Sequence, residues 1–182
     1  MLRCKGVAVK VASDTQHGFS KPVREQITLI EGHGVEGDAH AGQYARHRFL
    51  ARRWPKRAHL RQVHLIPVEL FAELHQEGHV VGPGDLGENV TTAGLNLEYL
   101  PLGTKLHLGE SAIVEPTGLR TPCGLIDRFQ RGLKRKMVRS QTRVPKFRCG
   151  VLGIVVVGGN IRQGDAIRAD APPQPCSPLP AL

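Results

Sequence analysis

Between Gly118 and Asp127 the chain reads Gly-Leu-Arg-Thr-Pro-Cys-Gly-Leu-Ile-Asp, with a cysteine three residues after an arginine and at the head of a helical pattern. With Thr121 as the N-cap, Pro122 and Cys123 take the first two helical positions. Free backbone N–H groups and the positive end of the helix dipole then face the sulfur. Arg120 adds a cation close by in sequence. Both effects favour thiolate over thiol, and the thiolate is the form that attacks electrophiles and binds metals. A buried cysteine that merely begins a helix is the plainer reading of the same residues.

Other segments also carry chemistry. Gly32-His-Gly-Val-Glu-Gly-Asp-Ala-His-Ala-Gly42 has four glycines in eleven residues and gathers His33, Asp38 and His40. Imidazole and carboxylate together suit zinc. The alternative is a turn in which Asp38 bonds neighbouring N–H groups. In Arg61-Gln-Val-His-Leu-Ile66 a strand would place Gln62, His64 and Ile66 on one face, a plausible pocket wall. Asn89, after the glycine-rich run 82–87, offers an amide suited to a heterocycle edge; the alternative is that it only closes a turn. Residues 46–61 hold seven arginines and lysines with Phe49 and Trp54 among them. Such a mixture can bind nucleic acid through phosphates and stacking, but a solvated charged loop is the reading preferred here, because aromatics are few and no nucleic-acid-binding motif is visible.

Positioning these residues needs a strand-rich frame. Strands are expected over Lys5–Ala12, Gln26–Ile30, Arg61–Ile66, Thr104–Leu108, Ser111–Glu115, Val151–Val157 and Gly164–Ala169. The run at 151–157 is apolar enough to be central in a sheet. Gly109-Glu110 reads as a two-residue hairpin turn. A helix starts at Pro67 with Leu70, Phe71 and Leu74 buried. A second follows Cys123, with Ile126, Phe129, Leu133 and Met137 on one side and Arg128, Arg131, Arg135 and Arg139 on the other. Residues 171–182, with five prolines, read as a disordered tail after a single domain over 1–170.

The totals agree with one mainly β, α+β globule. The chain has 182 residues, enough for a single substantial core, and its 21 glycines and 13 prolines imply many turns. No apolar run approaches the roughly 18 residues that a membrane span requires, and the first residues lack a signal-peptide core. The expected location is cytoplasmic, with no membrane partner. Cys4, Cys123, Cys149 and Cys176 form no Cys-x-x-Cys pair, so free thiols are expected. The net charge of +9 attracts anions without saying which.

Taken in order, Gly34-Val-Glu-Gly-Asp-Ala-His40, Arg61–Ile66, Gly87-Glu-Asn-Val90, Leu100–Gly109 and Thr117-Gly-Leu-Arg-Thr-Pro-Cys123 resemble the MOSC domain, named for the C-terminal part of molybdenum cofactor sulfurases. The resemblance implies a β-barrel-like fold with peripheral helices and a pocket for the molybdenum cofactor (molybdopterin). It makes Cys123 the thiolate ligand of molybdenum and the catalytic residue. It makes Arg61, His64, Asn89 and Arg120 binders of pterin or phosphate. The implied activity is reduction of small N-hydroxylated compounds, with electrons from a separate donor protein and no pyridoxal phosphate or iron–sulfur cluster in this chain. The same pocket would also serve a non-catalytic carrier, passing on cofactor or a Cys123 persulfide. A basic nucleic-acid-binding module is the further alternative.

Overall fold

The computed structural model describes residues 3–42, 59–139 and 145–182. Among them are strands β1 (Arg3–Ala12), β2 (Val23–Arg24), β3 (Gln26–Ile30), β4 (Gly34–Val35), β5 (Val63–Pro67), β6 (Val90–Ala93), β7 (Lys105–Leu108), β8 (Ala112–Leu119), β9 (Val151–Val157), β10 (Gly159–Arg162) and β11 (Ala166–Asp170). The helices are α1 (Glu69–Gln76), α2 (Gly124–Phe129) and α3 (Leu133–Lys136).

Seven strands close into a mixed barrel in the order β11-β7-β8-β9-β5-β6-β1, with β1 paired back onto β11. Closure runs antiparallel from Arg3 opposite Asp170 to Val7 opposite Ala166. Within the barrel only β5 and β6 pair in parallel, the connection between them carrying α1. A small second sheet, β10-β3-β4, lies beside the barrel. The mainly β, barrel-like expectation therefore holds.

The sequence dictates this closure through side-chain alternation. Along β8 buried and half-buried residues alternate, and Val114 and Leu119 join Leu65, Val90, Leu106, Leu108, Val151 and Ile167 in one interior cluster. As expected, β9 is central, flanked by β8 and β5. A second cluster of Ile66, Leu70, Phe71, Leu74, Leu86, Ile126, Leu133, Met137 and Cys149 fastens the helices to the barrel.

Several expectations need correction. Pro67 is the last residue of β5, and the helix begins after it at Glu69. Leu108 pairs with Ala112, so the hairpin loop has three residues, Gly109 to Ser111, rather than two. The two-faced helix after Cys123 is two short helices: the chain turns extended at Gln130 (φ −142°, ψ 124°), and Gly132, left-handed at φ 85°, caps the start of the second. Its apolar side is nonetheless buried, through Ile126, Leu133 and Met137. Arg139 does not face solvent as expected but pairs with Glu98 at 3.0 Å. Within the proline-rich segment 171–182, Leu179 is buried in the barrel's cluster, and Leu102 N–H donates to Ser177 O at 2.8 Å. The basic run at 46–58 lies outside the described residues.

Candidate functional site

Register brings the loops of interest together. Leu65, at the centre of β5, pairs with Val90 at the start of β6 and with Val151 at the start of β9. Val151 also pairs with Leu119, the last residue of β8. The segments leading into β6 and β9 and the one leaving β8 therefore meet around a single level of the barrel.

Beyond β8 the chain stays extended, its N–H groups alternating between two neighbours. Leu119 N–H donates to Pro180 O at 2.7 Å, Arg120 N–H to Gly150 O at 3.1 Å and Thr121 N–H to Leu182 O at 2.9 Å. Cys123 follows as the N-cap of α2 at φ −101°, ψ 171°, with an exposed side chain and no capping bond. This corrects the expected start by two residues: Cys123, not Thr121, is the cap. The Thr121 hydroxyl donates instead to Leu182 O at 2.6 Å. The side chain of Arg120 is half-buried. Its Nη1 donates to Leu86 O at 2.6 Å, its carbon Cζ lies 6.0 Å from the Phe19 ring centroid, and its other guanidinium N–H groups have no acceptor among the described residues.

Beneath this segment runs a set of buried polar groups. Lys21 Nζ lies 2.8 Å from Asp38 Oδ2, with both side chains nearly inaccessible. The same oxygen accepts from Asn89 Nδ2 at 3.1 Å and from Asp14 N–H at 3.3 Å, while Oδ1 accepts from His40 N–H at 2.9 Å. Burial works to raise the Asp38 pKa. The hydrogen bonds from His40 and the charge of Lys21 outweigh it and hold the carboxyl well below the usual carboxylate range. Burial draws the Lys21 ammonium down, against the pull of Asp38. The turn reading of Asp38 is thus the one the geometry bears out, and its oxygens are occupied by donors rather than turned to a metal. Among the described residues no group of three metal-binding side chains comes together.

Asn89 and His64 are also engaged internally. Asn89 Oδ1 accepts from His64 N–H at 3.2 Å, and its Nδ2 also reaches Ala12 O at 3.2 Å. The amide expected to read a heterocycle edge therefore braces β1 against β5. His64 Nε2 lies 2.9 Å from Cys149 O. Burial, and then the charges of Arg120 and Lys21, keep its pKa well below the ordinary histidine value, so the ring is neutral. Gln62 is tied to Gly32 O at 2.8 Å and to Val155 N–H at 2.9 Å. Arg61 is half-buried at the entry to β5.

Three further residues of this site drew no role from the sequence. Lys21 reads there as an ordinary residue of a polar loop, and only its place before Pro22 sets it apart. Glu88, wholly buried, accepts Gly84 N–H at 2.6 Å and the Thr91 hydroxyl at 3.0 Å through Oε1, while Oε2 has no partner among the described residues. Burial raises its pKa. The burial of Cys149 pushes its thiol up to about 11, which separates it chemically from exposed Cys123. Of the expected set, Cys123 and Arg120 stand toward the surface, whereas His64 and Asn89 form the frame below.

A family model described as MOSC domain matches residues 37–168. Among solved structures, YuaD protein from Bacillus subtilis is 20% identical, with a TM-score of 0.74 over 94% of this chain and 99% of that one. YiiM from Geobacillus stearothermophilus is 18% identical, with a TM-score of 0.65 over 94% and 77%. YiiM from Escherichia coli, also 18% identical, gives 0.63 over 97% and 74%. At these identities the likeness concerns the fold. No curated protein matches the sequence.

Proposed function

The chain belongs to the MOSC domain family, and from that premise we propose that it binds the molybdenum cofactor through Cys123 and reduces small N-hydroxylated compounds. The observation that carries the reading is the exposed sulfur of Cys123, free of any capping bond, three residues beyond an arginine with donors unused among the described residues.

The residues fit such a group at two points. A soft, accessible sulfur suits a soft transition metal. The free N–H groups of Arg120 suit a phosphate, which guanidinium recognises as a fork. Cys149 does not compete for the metal, because it is buried and its thiol is pushed up to about 11. When bound, the cofactor supplies the two-electron redox chemistry.

The chain's own residues bind and orient. Cys123 would hold the metal and Arg120 the phosphate. Leu86 O and the Phe19 ring fix the direction of the guanidinium. His64, Asn89, Asp38 and Lys21 keep the surrounding loops in register beneath it. Overall, R–NHOH with two protons and two electrons gives R–NH2 and water. A separate protein donor would supply the electrons.

The test is metal analysis for molybdenum and zinc, with pterin fluorescence, on protein expressed in a cofactor-producing host, beside Cys123→Ala. Molybdenum and pterin in the wild type, with molybdenum reduced to background in the variant, is the expected result. Consumption of reduced viologen with an N-hydroxylated purine then marks the enzyme. Pterin and metal without turnover would replace the reductase by a carrier. Zinc alone, or neither component, would overturn the cofactor reading.

A further inference from the structure

Residues 177–182 lie outside the part of the chain that matches the family model, yet they are built into the segment that carries Cys123. Leu102 N–H donates to Ser177 O at 2.8 Å, and Pro101 bridges to Pro178. Leu179 is 5% exposed and joins the barrel's core cluster. Ala181 then runs parallel to Leu119, with Leu119 N–H donating to Pro180 O at 2.7 Å and Leu182 N–H to Leu119 O at 2.9 Å. This is one further strand pairing, added to the end of β8.

Its last link is the informative one. Leu182 O accepts both the Thr121 N–H at 2.9 Å and the Thr121 hydroxyl at 2.6 Å. Two donors of one residue converge on one backbone oxygen, that of Leu182, two positions before Cys123. Pro122 has no N–H to contribute, so Thr121 is the anchor nearest the cysteine on this side. On the other side Arg120 N–H is held by Gly150 O at 3.1 Å. The groove that receives the strap is also shaped for it. A Cβ at Gly118 would lie 2.6 Å from both Leu182 Cγ and Pro180 O, closer than atoms approach. Prolines at 172, 173, 175, 178 and 180 limit the freedom of the strap before it docks, which lowers the entropy lost on docking.

We propose that residues 177–182 form a latch, with Thr121 as its positioning residue, that holds the Arg120–Cys123 segment in the geometry the site requires. The part of this that concerns cofactor rests on the reading above; the latch itself does not. It implies that releasing the strap disarms Cys123 without unfolding the barrel.

The experiment is iodoacetamide labelling of the full chain at one fixed pH, with each cysteine quantified separately by peptide mass. The variants are Thr121→Val, Thr121→Ser and Gly118→Ala, and a synthetic peptide of residues 117–127 serves as reference. Wild-type Cys123, held by the strap, should label at a rate different from the peptide's. Thr121→Val and Gly118→Ala should move that rate toward the peptide's by about threefold or more, with far-UV circular dichroism unchanged. Thr121→Ser, which keeps the hydroxyl, should label like the wild type.

The latch is overturned if the wild type labels like the peptide, if neither Thr121→Val nor Gly118→Ala moves the labelling rate, or if Thr121→Ser behaves as Thr121→Val does. Labelling needs no cofactor. A wild type that lacks molybdenum but follows the expected labelling pattern therefore removes the cofactor reading and leaves the latch. Bound molybdenum with an unmoved labelling rate does the reverse.

Discussion

His64 is a group whose charge the site resists. It is buried, its Nε2 faces the Cys149 carbonyl at 2.9 Å, and the charges of Arg120 and Lys21 act on it. Its folded pKa lies below the ordinary 6.5, so below that pH the unfolded chain takes up a proton that the native state refuses. Stability from this group is complete above pH 6.5 and falls as the pH drops. Glu88 acts in the opposite sense. Its folded pKa is raised above 4.5, so between that pH and its folded value the native state holds the extra proton and gains stability on acidification. The wild-type slope is thus a difference of two terms, and His64→Gln isolates one of them. Urea unfolding at pH 7 and pH 5.5 should show the variant gaining about 1 kcal/mol relative to wild type over that interval. Parallel curves would mean that His64 titrates normally. None of this was legible beforehand: the sequence marks His64 as a polar residue on an apolar strand, but its neutral state depends on charges 43 and 56 residues away.

At the scale of elements, Gly132 and Gly150 separate two reasons for a left-handed residue. Gly132, at φ 85°, has open space where a Cβ would stand. Gly150, at φ 75°, would drive a Cβ into the Leu65 carbonyl oxygen and to 2.7 Å from Ile66 Cγ1. The first glycine caps the start of a helix; the second lets the lead-in to β9 cross β5 beside Arg120. Gly132→Ala should cost about 1–2 kcal/mol, the strain of the conformation alone. Gly150→Ala adds overpacking and should cost about 3–5 kcal/mol. Equal midpoints in urea would refute the close approach at Gly150. The same contrast explains which elements could be read in advance. Gln26–Ile30 and Val151–Val157 are strands at the expected bounds, because alternation or a continuous apolar run is a local signal. The segment after Cys123 reads as one helix in the sequence because Ile126, Leu133 and Met137 keep a helical period across the break at 130–132, both pieces facing the same core. Of the expected site residues, Cys123 and Arg120 occupy reachable positions, while Asn89 and His64 are taken up by partners that no sequence spacing reveals.

Closure belongs to the whole molecule. β11 lies between β7 and β1, with Ile167 paired to Leu108 on one side and to Gly6 on the other. This joins the beginning of the chain to residues more than 150 positions later, and no local pattern announces so long a link. The strap's contacts are unannounced for a related reason: its prolines read as disorder, and nothing local marks Leu179 and Leu182 as the residues that pack against the barrel and Gly118. A barrel without a free edge at β11 should respond to damage as a unit. Ile167 is 1% exposed, and Ile167→Ala removes its packing from the interior at a cost of about 2–5 kcal/mol. Because both neighbours of β11 lose support together, the loss should appear in one cooperative urea transition with an unchanged slope. The other possibility is that β11 opens locally and the remaining strands hold. Amide exchange at Gly6 and Arg168 would then accelerate by orders of magnitude while the midpoint barely moved. That outcome would show the β1–β11 pairing to be an accessory contact, and the seven strands to be a sheet that merely curls until its ends touch.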